Sequence, residues 1–253
     1  MSIDNSTTKR VSGLVFGLLI SAAALASSLA FASEVVMNGN PENGKKIFME
    51  GKGAAAPCMS CHGPTGLGNE ALGAPRLANI GYVYVIKQLN DLAEGRRVPE
   101  GAGAVMPMFA QQLSAQDRQD VSAYVNTITE PAELSDLKDL KASGTVVGTT
   151  YQGQIIAKYG TAKVSACSSC HAYNGRGASP MFPVIGQQRY TYLVNQLHNW
   201  RDGSRHNDPY GMMQAIAKKL SDEDINNVAA YLSQAPRTAM GGKDATSKTQ
   251  AAQ

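Results

Sequence analysis

The chain has 253 residues, room for one large domain or two small ones, yet only 5 Phe, 10 Tyr and 1 Trp from which to build apolar cores. With 23 basic and 20 acidic residues and a net charge of +3, it lacks the strong basic field that nucleic acid binding calls for, and no nucleic acid partner is expected.

Residues 1–32 read as a secretory signal. Lys9-Arg10 precedes an apolar run from Val11 to Phe31, and Ala30-Phe31-Ala32 offers an Ala-x-Ala cleavage site. The mature chain would begin near Ser33, in the periplasm. An uncleaved anchor is the competing reading, because the run approaches membrane-spanning length. The Ser and Gly within it, and the cleavage site, favour removal. No second such run follows, so the body is expected to be soluble, with at most peripheral membrane association.

Residues 33–130 form the first expected domain. Pro41 to Glu50 predicts a short helix with Ile47 and Phe48 facing inward, broken by the Gly/Ala stretch from Gly51 to Ala56. Cys58-Met59-Ser60-Cys61-His62 follows, then a glycine-rich loop and Pro75. Tyr82, Val85, Ile86, Leu89, Leu92 and Ala93 recur at the spacing of one helix face. A Gly/Pro loop carries Met106-Pro107-Met108. Ser114 with Asp117 opens a last helix whose apolar face is Val121, Tyr124, Val125 and Ile128.

Residues 131–150 read as a linker, after which the programme repeats in a second domain, 151–236. Cys167-Ser168-Ser169-Cys170-His171 repeats the first motif, and Pro183 sits where Pro75 does. Tyr190, Leu193, Val194, Leu197 and Trp200 match Tyr82, Val85, Ile86, Leu89 and Leu92. Leu220-Ser221 matches Leu113-Ser114. The offset is 109 residues at the cysteines and 107 at the final helix, so the first domain holds two extra loop residues. Residues 237–253 are Gly, Ala, Thr, Ser and Lys for the most part, a tail expected to be disordered. The fold class is therefore all-α, in two tandem domains.

Both pentapeptides are Cys-x-x-Cys-His, the attachment signature of a c-type haem. The thiols of Cys58 and Cys61, and of Cys167 and Cys170, add to the porphyrin vinyl groups, and His62 and His171 reach the iron. Together the motifs use all 4 cysteines and half of the 4 histidines. Disulfides, thiol exchange or structural zinc would account for the cysteines but leave the two identically placed histidines without a reason. Two covalent haems also explain the shortage of aromatic residues, since each porphyrin is itself an apolar core.

A second iron ligand is harder to read. The first domain contains no histidine besides His62, so methionine is the obvious donor. Counting back from Leu113 gives Met106, and the same count from Leu220 gives Met213. Met108 and Met212 have no methionine counterpart in the other repeat and read as core filling. His198 and His206 offer a bis-histidine alternative in the second domain, but their counterparts in the first are not histidine. Pro75 and Pro183 could each present a carbonyl to the other nitrogen of the ligating imidazole, or simply make a turn. Tyr82, Tyr190, Arg76, Arg189 and Trp200 are candidates for the haem edges and propionates.

The two Cys-x-x-Cys-His motifs, Pro75 and Pro183, and the Met-x-x-x-x-x-x-Leu-Ser patterns at Met106 and Met213 resemble the dihaem cytochrome c4 family. Those are tandem class I cytochrome c domains in one exported chain. The resemblance covers roughly residues 40–235 and is fullest over Met212–Ile225. It implies His/Met-ligated haems, two domains related by a pseudo-twofold axis, and electron delivery toward a terminal oxidase.

An electron carrier, not an enzyme, is the leading reading, because an iron held by His and Met has no open position for substrate. Redox proteins are its expected partners: a terminal oxidase, a bc1-type complex, or small copper or cytochrome donors. The alternative is the dihaem electron-transfer subunit of a periplasmic dehydrogenase whose partner holds a flavin or another centre. A dihaem peroxidase would need an open iron. Charge divides the chain: residues 33–130 carry 8 basic and 10 acidic groups, residues 151–253 carry 11 and 6.

Overall fold

The computed structural model describes residues 38–236; the expected signal at 1–32 and tail at 237–253 lie outside the described residues. Five helices build the first half: α1 (Pro41–Glu50), α2 (Met59–His62), α3 (Tyr82–Ala93), α4 (Met106–Gln112) and α5 (Ala115–Thr127). A sixth, α6 (Leu137–Ala142), lies in the connecting segment. The second half repeats the order with α7 (Thr150–Tyr159), α8 (Ser168–His171), α9 (Tyr190–Asp202), α10 (Met212–Ala217) and α11 (Asp222–Gln234). Among the described residues the only extended pairings are isolated bridges, such as Asn69 with Ala74. No described helix is long and apolar enough to cross a membrane.

Helix boundaries follow local chemistry. The Asn40 side chain accepts the N–H groups of Glu42 and Asn43 at the start of α1, with proline in the first turn. Gly51 ends that helix at φ 82, a conformation open to glycine. Ser114 and Asp117 form a reciprocal capping box on α5, and Ser221 and Asp224 repeat it on α11. Such a cap is worth about 0.5–2 kcal/mol.

The first and last helices of each half cross in contact, and glycine permits it. A Cβ on Gly44 would lie 2.0 Å from the carbonyl oxygen of Asp120, and one on Gly153 would lie 1.8 Å from that of Asn227. Close approach lets Ile47 and Phe48 pack with Val121 and Val125 in one core, and Ile156 and Ala157 with Val228 and Leu232 in the other. Phe48 is fully buried and meets Tyr124 edge-on at 5.3 Å. Burying a side chain of that size stabilises by about 1.5–3 kcal/mol.

Two features differ from the sequence reading. Met106 does not lie in an irregular loop: it opens α4, with Pro107 in the first turn, where a missing N–H costs nothing. Residues 131–150 are also more than a tether. Leu137, Leu140 and Val147 pack against the second core. Buried Ser135 accepts the N–H of Tyr190 at 2.9 Å and donates to Glu70 Oε2 at 2.5 Å, while Glu70 Oε1 accepts the N–H of Thr191 at 2.6 Å. Arg76 and Gln188 add a reciprocal backbone pair: Arg76 N–H donates to Gln188 Oε1 at 2.7 Å, and Gln188 Nε2 donates to the Arg76 carbonyl at 3.0 Å. The halves are thus joined by buried hydrogen bonds as well as by the chain.

Candidate haem-binding sites

The short helices α2 and α8 place the motif residues. His62 N–H donates to the Cys58 carbonyl at 3.0 Å, and His171 N–H to that of Cys167 at 2.8 Å. This single turn puts the two cysteines of each motif, three apart, on one side with the imidazole next to them. All four thiols are free rather than paired as disulfides. Burial, with a smaller contribution from the neighbouring cysteine, pushes the Cys58 and Cys167 thiols up to about 11 against the lowering effect of a backbone hydrogen bond. The shift is opposite to the lowered pKa that activates the thiolate of an exchange site.

Each imidazole is oriented from behind. His62 Nδ1 donates to the Pro75 carbonyl at 2.9 Å, and His171 Nδ1 to that of Pro183 at 2.9 Å. Of the two readings open for these prolines, the carbonyl role is the one observed. Burial holds both histidines below their ordinary pKa, with the proline carbonyl opposing. Each ring is therefore neutral, with a lone pair on Nε2, the form that ligates iron.

Cys58, Cys61, His62, Pro75 and Met106 all line one cavity of about 650 Å³ in the first half, within the size range of cofactor sites. Its other walls are mostly apolar, Ile47, Phe48, Ile80, Val85, Leu89, Leu113 and Val125 among them, with Gln88 and, from the second half, Asn195, Gln196 and Asn199 at one side. Arg97 also lines it, only 9% exposed, and its Nε–H has no partner in the protein. A buried unsatisfied donor is costly, and a carboxylate of a bound group would satisfy it. An apolar chamber with paired thiols, a neutral imidazole, a thioether and one orphaned guanidinium N–H fits haem c. Met108, 49% exposed, and Met212, 36% exposed, are less suited to a buried ligand role. Met213 is half-buried at the second residue of α10. His198 hydrogen-bonds to Arg201 at 2.9 Å on the outer side of α9, and His206 is exposed.

The propionate candidates are redistributed. Arg76 and Arg189 bind across the two halves: Arg76 Nη2 donates to the Gly186 carbonyl at 2.8 Å, and Arg189 Nε to that of Leu67 at 2.8 Å. The first cavity is lined by Tyr84, Tyr192 and Arg97 instead. Tyr190 donates to the Val146 carbonyl at 2.7 Å, and Trp200 lies under the Arg205 guanidinium at 4.1 Å.

Between the halves the sequence reading missed a twinned knot. Arg97 donates to Gln88 of its own half (2.8 Å) and to Tyr192 (3.1 Å) and Gln196 (2.9 Å) of the other. Arg205 donates to Gln196 of its own half (2.6 Å) and to Tyr84 (3.1 Å) and Gln88 (3.1 Å) of the other. The offset that carries Tyr82 to Tyr190 also carries Tyr84 to Tyr192, Gln88 to Gln196 and Arg97 to Arg205. Extending the repeat alignment past the apolar positions would have found all three pairs. Burial would raise the Tyr192 pKa, but the two guanidiniums outweigh it and hold it below the ordinary value.

A tandem pair of such half-molecules, each with a cysteine-pair-and-histidine haem site, defines a c-type cytochrome with two covalent haems. The cytochrome c family model matches residues 41–129 and 157–236. The chain is 35% identical to cytochrome c4 of Azotobacter vinelandii over 72% of this chain and 86% of that one. It is 33% identical to a thiosulfate dehydrogenase electron acceptor of Stutzerimonas stutzeri (strain A1501), covering 77% and 87%. Reduced recombinant cytochrome c4 from Pseudomonas stutzeri superposes with TM-score 0.60 at 31% identity, covering 77% of this chain and 98% of that one. A thiosulfate dehydrogenase from Marichromatium purpuratum superposes with TM-score 0.69 at 31% identity, where this chain spans 40% of the other. The chain belongs to the dihaem cytochrome c4 family; it carries two covalent haem c groups and is an electron carrier rather than an enzyme.

Proposed function

We propose that this cytochrome works in the periplasm, taking electrons from a donor at one half and passing them through the other toward a terminal oxidase. Cys58 and Cys61, and Cys167 and Cys170, would hold the haems; His62 and Met106, and His171 and Met213, would supply the iron ligands. When bound, each haem supplies a one-electron iron couple. The protein excludes water from it, fixes the imidazole through Pro75 or Pro183, and raises its potential through the thioether.

The observation that carries this reading is the Arg97/Arg205 knot. It joins the wall of the first haem cavity directly to α9 of the second half, so two centres sit in one locked body and electrons need not wait for a collision between domains. Charge supports separate entry and exit. The first half is net acidic and the second net basic, and opposite fields steer different partners.

The names of relatives favour a second reading for the donor side. Two of them are thiosulfate dehydrogenase electron acceptors, which makes such a dehydrogenase the candidate electron source. Mixing the oxidised protein with such a dehydrogenase and its substrate, then with oxidase-containing membranes, tests both ends. Reduction by the first and reoxidation by the second is expected; reduction without reoxidation by any oxidase would leave only the dehydrogenase-subunit role.

A further inference from the structure

The segment from Arg205 to Met213 spends its polar groups in an unusual way. The Asn207 side chain donates to Asp91 Oδ2 at 2.6 Å and to Gln88 Oε1 at 3.1 Å, both on α3 of the first half. Its carbonyl accepts from Lys87 Nζ at 2.7 Å, and its own Oδ1 accepts from Arg205 Nε at 3.0 Å. Every polar group of the Asn207 side chain, and its carbonyl, is thereby committed to the first half or to the knot. The next residue turns the other way. Asp208 Oδ2 accepts the backbone N–H of Met213 at 2.6 Å and that of Gln214 at 3.3 Å, and Oδ1 accepts from Gln214 Nε2 at 3.2 Å. Two adjacent side chains thus tie the start of α10 to the neighbouring half.

The first half has no equivalent. There the Met106 N–H donates to the Gly103 carbonyl of its own turn, not to a side chain. Pro99 and Glu100 stand where the repeat puts Asn207 and Asp208. Among the described residues no hydrogen bond ties the Met106 end of α4 to the second half, although Tyr192 and Gln196 share the cavity that Met106 lines.

We infer that Asn207 and Asp208 are positioning residues which make methionine ligation of the second haem, and not of the first, depend on docking between the halves. The inference rests on Met213 being that ligand. Asp208 holds the Met213 backbone, and Asn207 holds Asp208 against α3. When the halves separate, as on binding a partner that wedges between them, the Met213 end of the strap loses its external anchor. The second haem would then lose its thioether and fall in potential, while the first keeps Met106.

The test uses the full-length dihaem protein and carbon monoxide binding to each ferrous haem, with the far-red charge-transfer band of ferric iron–methionine as a second readout. Asp208→Ala and Asn207→Ala should each raise carbon monoxide binding at the second haem about tenfold or more, the loss of one or two charge-assisted hydrogen bonds. The first haem should stay closed, and the far-red band should fall by up to half. Asp208→Asn keeps an acceptor for the Met213 N–H and should restore much of the band, which a merely destabilised fold would not allow. Met213→Ala sets the full effect. If Met213→Ala opens the second haem while both strap variants leave it closed, the strap is wrong and the ligand assignment stands. If Met213→Ala leaves the second haem closed, the ligand assignment fails and the strap with it.

Discussion

Arg97 and Arg205 occupy the same place in the two repeats, and each crosses the interface to bind the tyrosine and glutamine that the other's half supplies. The relation is a local twofold made of six side chains: Tyr84, Gln88 and Arg97 against Tyr192, Gln196 and Arg205. One departure from symmetry is chemical. Arg205 satisfies its Nε–H on Asn207, while that of Arg97 has no protein partner and lines the first haem cavity.

The knot should therefore hold the halves together. Arg97→Ala or Arg205→Ala removes charge-assisted hydrogen bonds worth about 1.5–3 kcal/mol each in a buried setting. Either change should lower unfolding free energy by about 2–4 kcal/mol in denaturant titration. Because both arginines share Gln88 and Gln196, the double variant should cost less than the sum. Strict additivity would mean that the two act independently.

Gly153→Ala and Gly44→Ala should each destabilise one half. The new Cβ meets a backbone carbonyl rather than a movable side-chain end, and overpacking of this kind costs about 1–3 kcal/mol. The expected sign is a loss of thermal stability for both. An unchanged melting temperature in either variant would show that the helix crossing relaxes freely.

Much of this was legible in the sequence. The Cys-x-x-Cys-His motifs, the helices from Pro41 and Tyr82 and the capping boxes at Ser114 and Ser221 all depend on residues close along the chain. What escaped depends on docking. Arg76 and Arg189 read as propionate candidates in an isolated domain; beside a second domain they have carbonyls to bind. Helix α6 is only six residues long: an Asp136 cap and one pair of leucines, Leu137 and Leu140, are too few positions to make a periodic run. Met106 was assigned to a loop because Gly101, Gly103 and Pro107 mark a break, yet the break ends one residue before the methionine.

Met106→Ala and Met213→Ala should each open one iron, lower that haem's potential and admit carbon monoxide, as spectra of the reduced protein would show. Met108→Ala and Met212→Ala should leave both irons closed. An open iron in the Met108 variant would shift the ligand by two residues.

Acid should unlock the interface late. Burial raises the Asp91 carboxyl, but Lys87, Asn207 and Arg96 outweigh it and hold its pKa below the usual value. A depressed carboxylate contributes its full stability above the unfolded pKa of about 3.9 and loses it as pH falls through the folded value. Small-angle scattering on acidification should show the halves locked at pH 5 and separating only below about pH 4. Asp91→Asn should remove that acid step.

Lys218 and Lys219 are exposed just after α10, in the half with the basic excess. Reversing both to Glu should slow exchange with the acidic partner of the second half and leave the first half's partner unaffected. The effect should fade with salt, since exposed charges are screened beyond about 8–10 Å at physiological ionic strength. Equal rates with both partners at every salt concentration would remove any steering role from the charge division.

The central claim is that two haems exchange electrons inside one locked body. Photoreducing the dihaem protein with a short light pulse, substoichiometrically, and following the redistribution between the two haem spectra tests it directly. A first-order phase whose rate is independent of protein concentration, and slower in the Arg97→Ala/Arg205→Ala double variant, is the expected result. A redistribution rate that rises in proportion to protein concentration would show that electrons pass between molecules, and would contradict it.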